Sequence, residues 1–250
     1  MCRGKYSMTQ ARRSLPRWLQ HWWVWFTAIF AITFVSFWPS FFSAIVNIET
    51  HIVIHGISAV AWMLLTIIQA LLIKSGWRKY HRTVGYFSLT LAAALVLSGL
   101  WVIQTMLFGD GGTAEGIPLL AIKFFYIDFT ALVLFCVFLG LAIKAARRRD
   151  IPLHLRLMAC TAIIPLEAAL ERTYIYGTPN LVPNFDVALY ASVVTLIVVT
   201  AVLVASEWWY GRSRWPFAVL LAYFVIMLLT TDMIAQTEWF NSLAISYANI

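Results

Sequence analysis

The sequence predicts an all-α protein, a bundle of seven transmembrane helices with its N-terminus inside and its C-terminus outside. Hydrophobic residues make up 62% of the 250 residues and charged residues 12%, whereas soluble domains are about half apolar and a quarter charged. Sixteen of the eighteen Lys and Arg residues lie in four segments that alternate along the chain, which is the positive-inside pattern. The net charge of +7 therefore reflects topology and contact with anionic lipid, and nucleic-acid binding is not expected.

The chain divides into three regions. Residues 1–21 carry five basic residues and no acid, and we interpret them as a cytoplasmic N-terminus. Residues 22–235 form the seven-helix transmembrane domain, and residues 236–250 form a short outer tail. The seven expected spans cover 22–46, 51–73, 84–108, 117–145, 154–170, 186–206 and 216–235.

Each span is bounded by a recognisable segment. Pro39 is expected to kink the outer third of the first span, because proline has no backbone N–H. The second span leaves through the basic segment 74–82, and the third ends at the glycine-rich loop 109–116. The fourth ends in the charged run 147–150, and the short fifth contains Pro165. The sixth is the most uniformly apolar, which is typical of a scaffold in contact with lipid.

Polar residues in the second span fall on one face of the helix. At about 100° per residue they occupy an arc of roughly 80°, and the rest of the helix is aliphatic. Polar groups in hydrocarbon are unfavourable unless they find partners, so this stripe indicates the inward face of a bundle. The stripe comprises His51, His55, Ser58, Trp62, Thr66 and Gln69.

The two histidines of the stripe suggest a metal site near the outer surface. His51 and His55 are four residues apart, so both imidazoles lie on one side of a helix. Asp128 and Glu167 fall in the outer part of their own spans, and one or both would complete a zinc- or iron-type site. Either acid could serve as a ligand or as a general base. In the alternative, His51 caps its helix, and His55 bonds a carbonyl or Asp128 or takes part in a proton relay.

Four further charged residues lie at the outer depth. Glu171 follows Glu167 by one helical turn, and Arg172 is next to it. Lys123 and Asp232 lie near the outer ends of the fourth and seventh spans. The alternative to a functional role for the two glutamates is a salt bridge to Arg172 or Lys123.

A second polar layer is predicted at the inner surface. His81 and His154 begin the third and fifth spans on the same side of the membrane, so they could face each other and bind one haem b axially. The alternative is an interfacial network of hydrogen bonds. In that network Asp150 pairs with His154, Arg82 or Arg156.

Several of these residues resemble a domain-of-unknown-function family of bacterial multi-pass membrane proteins, with a distant similarity to cytochrome b561-type haem proteins. The resemblance covers about 51–85 and 150–172, and it implies a bacterial cytoplasmic (inner) membrane protein. Cytochromes of the b561 kind hold haem between histidines on different helices, which implies His81 and His154 as the ligands. The residues that carry the resemblance are His51, His55, Gln69, Leu72, His81, Arg82, Gly85, Asp150, His154, Arg156, Leu157, Met158 and Arg172.

Three functions follow from these patterns. The first is a metal-binding membrane protein that acts on a lipid-soluble substrate. The second is a b-type haem protein or a quinone-linked electron carrier. The third is a proton-coupled transporter, in which the polar stripe lines the path. The lipid bilayer is the one partner that the composition predicts, and neither a reaction nor an oligomeric state follows from the sequence.

Overall fold

The chain folds as the predicted helical bundle. The computed structural model describes residues 21–108, 117–211 and 214–249. Within these ranges seven helical segments are long and apolar enough to cross a membrane, which confirms the all-α fold with seven spans. The helices are α1 (Trp22–Phe37), α2 (Thr50–Lys74), α3 (Arg78–Phe108), α4 (Leu119–Arg147), α5 (Ile151–Ile163), α6 (Leu166–Gly177), α7 (Phe185–Trp209), α8 (Trp215–Ala235) and α9 (Glu238–Ala248). We call the side where α4 begins and α8 ends the outer side, as the sequence predicts; its orientation in the cell stays a prediction.

The first span ends differently from the expected kinked helix that reaches residue 46. After α1 the chain widens into a π-helical turn over Trp38–Phe42, followed by a 3₁₀ turn over Ile45–Asn47. A π turn is a common way to insert a residue into a helix, and Pro39 lies inside it. The turn directs the Phe41 ring against α2, where a Cβ added to Gly56 would clash with Phe41 Cζ. An alanine at position 56 would therefore require the Phe41 ring to move.

The fifth span is longer than expected and consists of two helices. α5 begins at Ile151, because the Asp150 side chain accepts a hydrogen bond from Leu153 N at 3.3 Å and so caps the helix. The helix breaks at Ile164 and Pro165, and α6 continues to Gly177. Together α5 and α6 are the most buried span of the bundle.

The other spans surround this broken helix. α1, α4, α7 and α8 pack against α5 or α6, while α2 and α3 form an antiparallel pair beside them. The turn between α2 and α3 requires Gly76, whose φ of 79° lies in the left-handed region.

The expected outer tail contains a packed helix. α9 lies across α3 and α4 and buries Phe240, Ala244 and Ala248. The Phe125 ring of α4 contacts both Phe240 and Tyr247, at centroid distances of 5.3 and 5.4 Å. Tyr247 also donates its hydroxyl to the Leu100 carbonyl at 2.8 Å. α9 therefore covers the outer end of the crevice between α3 and α4.

Candidate functional site

His51 faces the neighbouring helix α3. Its Nε2 atom is 2.8 Å from Thr105 Oγ1, and its ring stacks on Trp101 with the centroids 5.4 Å apart. On its other side, Nδ1 lies 3.3 Å from a carboxylate oxygen of Glu49. Both imidazole nitrogens therefore have protein partners near the start of α2.

His55 also points into the α2–α3 interface. Its Nδ1 atom is 3.2 Å from Ser98 Oγ, and its Cε1 atom would lie 3.3 Å from a Cβ added to Gly99. The predicted ligand partners Asp128 and Glu167 belong to other helices, α4 and α6. In the described ranges no three or more His, Cys, Asp or Glu side chains are grouped so that they could hold a metal ion. Metal binding by the two histidines stays a prediction.

The rest of the polar stripe follows the same interface and reaches further inward. Ser58 and Thr66 are buried, and Trp62 is almost fully buried at 1% exposed. The Trp62 ring meets Phe135 of α4 edge-on at 5.1 Å. The stripe is thus the buried face of α2, as predicted, but its histidines are directed toward α3.

A cluster of charged side chains occupies the interior between α4 and α6; we call it the acid cluster. It consists of Asp128, Glu167, Glu171 and Arg172, which interact electrostatically with one another. Glu167 and Glu171 are only 6% and 4% exposed. At 1.5 Å per residue, Asp128 lies about 14 Å from the outer end of α4, and Glu167 about 15 Å from the outer end of α6. The cluster is therefore well inside the bilayer.

The broken helix explains how Glu167 is accommodated at this depth. Glu167 lies in the first turn of α6, where free backbone N–H groups and the helix dipole favour negative charge. Its Oε1 atom is 2.6 Å from Ser192 Oγ of α7. Glu171 lies one turn further on, and its Oε1 atom has no hydrogen-bond partner among the described residues.

Arg172 is held in place by its own helix and by α1. Its Nη1 atom donates to the Ala168 carbonyl at 2.9 Å, and its guanidinium carbon lies 4.2 Å from the centroid of the Phe37 ring. These contacts fix the guanidinium, which interacts electrostatically with the three carboxyl groups. It is the cation that faces the acid cluster.

Two tyrosines missed by the sequence reasoning lie between α4 and α8. The Tyr223 hydroxyl of α8 is 3.1 Å from Thr130 Oγ1 of α4, and Tyr223 interacts electrostatically with Asp128 and Glu167. The Tyr126 hydroxyl is 2.8 Å from Thr230 Oγ1. A tyrosine inside an apolar span is itself a signal, because a phenol in hydrocarbon needs a partner.

These tyrosines line a groove between α4 and α8. The groove encloses about 400 Å³, within the range of small-molecule sites. Its walls contain Val133 and Ile226, which are 50% and 55% exposed on the surface that faces lipid. The groove thus opens sideways to the bilayer, and its hydroxyl-bearing wall adjoins the acid cluster.

The outer end of the same helices carries a separate buried ion-pair group. Lys123 is 6% exposed, and its Nζ atom lies 2.6 Å from Asp186 and 2.8 Å from Asp232. One alternative from the sequence paired Lys123 with Glu167 or Glu171. In the structure Lys123 pairs with Asp186 and Asp232 instead. This group ties α4, α7 and α8 together above the acid cluster.

At the inner end the structure brings His81 and His154 together. Their ring centroids are 6.5 Å apart, with the ring planes nearly perpendicular. His154 Nδ1 lies 2.9 Å from the Ala142 carbonyl, which can only accept, so Nδ1 carries a hydrogen. The Gln69 amide, when oriented so that its oxygen accepts from Gly85 N, donates to His81 Nδ1 at 2.5 Å.

The inner ion pairs differ from the expected network. Asp150 pairs with Arg214 at 3.3 Å, and within the described ranges no side-chain ion pair joins Asp150 to His154, Arg82 or Arg156. Arg156 pairs with Glu207 at the inner end of α7, and Glu207 also accepts from Arg214 N at 3.2 Å.

The sequence reasoning missed Glu207 because α7 was expected to be an apolar scaffold. The same helix also supplies Ser192 and Asp186 to the polar groups of the bundle. Arg82 is exposed at the start of α3. The inner network therefore joins α5, α7 and α8, and it leaves α3 out.

Comparison of the chain with family models, with curated proteins and with solved structures gives no match. The resemblance to a bacterial family of membrane proteins therefore stays a prediction, as does the bacterial cytoplasmic membrane. The geometry of the acid cluster and its groove is the ground for a proposed function.

Proposed function

We propose that this integral membrane protein holds protons in its acid cluster and exchanges them with a lipid-soluble substrate. The observation that carries the proposal is a set of three carboxyl groups, two of them almost fully buried, that interact electrostatically with one another and with Arg172. Ionisable residues within membrane spans are unfavourable and usually mark function. Lys123, a further buried cation, is already engaged by two other carboxylates at the outer end.

Charge balance supports protonated acids in the cluster. If all three carboxyl groups were ionised, Arg172 would offset one of their charges and leave two uncompensated. Each uncompensated charge in the interior is unfavourable by several kcal/mol, so a neutral acid is the lower-energy state. The cluster then carries two protons that can be released when a negative charge is removed or a base approaches.

The hydrogen bonds of Ser192 support a proton on Glu167. Ser192 Oγ lies 2.8 Å from the Leu189 carbonyl and 2.6 Å from Glu167 Oε1. A serine hydroxyl has one hydrogen, and a carbonyl oxygen can only accept. Both short contacts are hydrogen bonds when Ser192 donates to Leu189 and the protonated Glu167 donates to Ser192.

The groove between α4 and α8 supports a substrate that comes from the bilayer. Its mouth faces lipid, and its inner wall, formed in part by Thr130 and Tyr223, separates it from Asp128 and Glu167. Hydroxyl groups at this position can relay a proton between a buried acid and a molecule in the groove.

Infrared spectroscopy of the protein in lipid vesicles tests the proposal. Protonated carboxylic acids have a C=O stretch that carboxylates lack, and its intensity is followed as the pH is raised. We expect Glu167→Gln and Glu171→Gln each to remove part of this band. Glu238→Gln changes an exposed glutamate of α9 and should leave the band unchanged.

Spectra that are identical in all three variants and the unchanged protein would show that the cluster is ionised, and the proposal would be wrong. Glutamine has nearly the shape of glutamate, so size-exclusion profiles should stay the same. Proton uptake into vesicles under a pH gradient then distinguishes the predicted proton-coupled transporter from a centre that exchanges protons only with its substrate.

A second candidate function, haem or metal binding at the inner side, is favoured by the His81–His154 pair. The Nδ1 atom of His154 is anchored on a backbone carbonyl, as in most metal-ligating histidines, which leaves Nε2 as the ligand atom. His81 can bind a metal through Nε2 only if its own Nδ1 carries the hydrogen. That requires the Gln69 amide oxygen, and not the amide nitrogen, to face His81 Nδ1. Bound haem would supply electron transfer. An absorption spectrum after haem-supplemented expression tests this, with a Soret band expected and then lost in His154→Ala.

The predicted outer metal site is tested separately. Elemental analysis of the purified protein, with His55→Ala for comparison, measures any zinc or iron that depends on that histidine. Equal metal content in the two proteins would remove the outer metal site and leave the acid-cluster proposal intact.

A further inference from the structure

We infer that the groove between α4 and α8 binds a neutral lipid alcohol, with the hydroxyl of its head donating to the protein. The role of the groove in this inference rests on the proposed function, whereas the geometry of the groove is independent of that proposal. The groove has room for a head group and part of a chain at about 400 Å³. The side chains that line the groove are uncharged, which disfavours the binding of phosphate and ammonium head groups.

The hydrogen of the Tyr223 hydroxyl is already used within the protein. Thr130 Oγ1 lies 2.8 Å from the Tyr126 carbonyl, to which it donates. Thr130 can therefore only accept from Tyr223 at 3.1 Å, and Tyr223 also points at the Ile127 carbonyl at 3.4 Å. The Tyr223 hydroxyl oxygen then has only lone pairs available, so it can accept a hydrogen bond from a ligand.

The hydroxyl hydrogen of Tyr126 is also used within the protein. Thr230 Oγ1 donates to the Ile226 carbonyl at 2.7 Å, so in its 2.8 Å contact with Tyr126 it accepts the phenol hydrogen. The Tyr126 oxygen is then also left with lone pairs only. The groove thus offers two acceptors, and these hydroxyls have no free hydrogen. A hydroxyl head can donate to such a wall, whereas an ether, ester or ketone head cannot.

The depth of the two phenols fixes how the alcohol lies. Tyr126 is about 10 Å from the outer end of α4, and Tyr223 about 18 Å from the outer end of α8. The apolar part of the groove continues inward from there over Val133 and Val137. A lipid alcohol whose head lies between the depths of the two phenols, with its chain directed inward along Val133 and Val137, matches this order of polar and apolar wall.

Photolabelling in vesicles tests the inference. The probe is a long-chain alcohol with a diazirine in its chain, and the labelled residues are located by mass spectrometry. We expect labelling to concentrate on α4 and α8. An excess of the unlabelled alcohol should compete severalfold better than its methyl ether, which has the same chain but no hydrogen to donate.

Two matched valine variants separate the groove from ordinary lipid contact. Val133→Trp fills the groove and should reduce labelling severalfold. Val202→Trp makes the same change at a lipid-exposed position of α7 outside the groove and should not. The double variant Tyr126→Phe, Tyr223→Phe should still be labelled but should lose the preference for alcohol over ether.

Either of two results would overturn the inference: labelling spread evenly over all seven spans, or equal competition by alcohol and ether. The outcome is independent of the infrared experiment. A carbonyl band that depends on Glu167 together with non-specific labelling would keep the proposed function and reject the lipid alcohol. Specific labelling without such a band would keep the lipid-alcohol site and reject the proposed function.

Discussion

The inner ion pairs provide a prediction whose size follows from burial. The side chains of Arg156 and Glu207 are each 11% exposed, whereas those of Arg214 and Asp150 are 44% and 34% exposed. Removing one partner of a buried pair costs about 3–5 kcal/mol, because the remaining charge stays buried after it has lost that partner. Exposed pairs contribute about 0–1 kcal/mol. The stability lost when one partner is removed should therefore be severalfold larger for Arg156–Glu207 than for Arg214–Asp150.

Thermal unfolding in detergent or in lipid measures this difference. For a chain of this size, 1 kcal/mol shifts Tm by about 2–4 °C. Glu207→Leu, at about 3 kcal/mol, should therefore lower Tm by about 6–12 °C. Asp150→Asn should shift Tm by less than about 4 °C, since asparagine still caps α5. The double variant Arg156→Leu, Glu207→Leu should recover most of the loss, because a buried pair replaced by apolar side chains is often neutral. Equal shifts for Glu207→Leu and Asp150→Asn would refute the reasoning.

Three further predictions concern packing and the acid cluster. Gly56→Ala places a Cβ against Phe41 Cζ and should destabilise the protein by about 1–3 kcal/mol, an effect that Phe41→Leu should reduce in thermal unfolding. Gly140→Ala meets no atom within 4 Å and should stabilise α4 by up to about 1 kcal/mol; a loss of stability would contradict this. Ser192→Ala removes the 2.6 Å contact with Glu167, so the infrared carbonyl band should shift while its intensity remains, and an unchanged band would argue against a protonated Glu167.

The spans were predictable because hydropathy and charge act along the chain. An apolar run must cross the bilayer as a helix that satisfies its own backbone, and basic segments mark its ends. Two of the errors fall where a proline intervenes. Pro39 lies in a π turn and not at a simple kink, and Pro165 separates two helices within one span. Sequence shows that a proline disrupts a helix, but how the chain repairs the disruption depends on its neighbours.

The candidate site was only partly predictable, because periodicity fixes a direction on one helix and not the helix that it faces. His51 and His55 do lie on the buried face of α2, but that face meets hydroxyls of its sequence neighbour α3. The carboxyl groups expected beside them meet one another instead. Ser192 carried no signal of its own, since a single serine in an apolar span commonly bonds its own helix. Tyr223 did carry a signal, a phenol inside an apolar span, and the sequence reasoning overlooked it.

The break in the central span gives the acid cluster its place. A continuous helix would leave Glu167 in mid-helix, whereas the break at Pro165 puts it in the first turn of α6. There the helix dipole favours negative charge at a depth where it is otherwise unfavourable. Because α5–α6 is also the most enclosed span, the same break directs both glutamates into the bundle. The groove between α4 and α8 opens to the lipid, and Tyr223 in its wall interacts electrostatically with Asp128 and Glu167. A proton exchanged between these acids and a substrate dissolved in the bilayer would pass this wall.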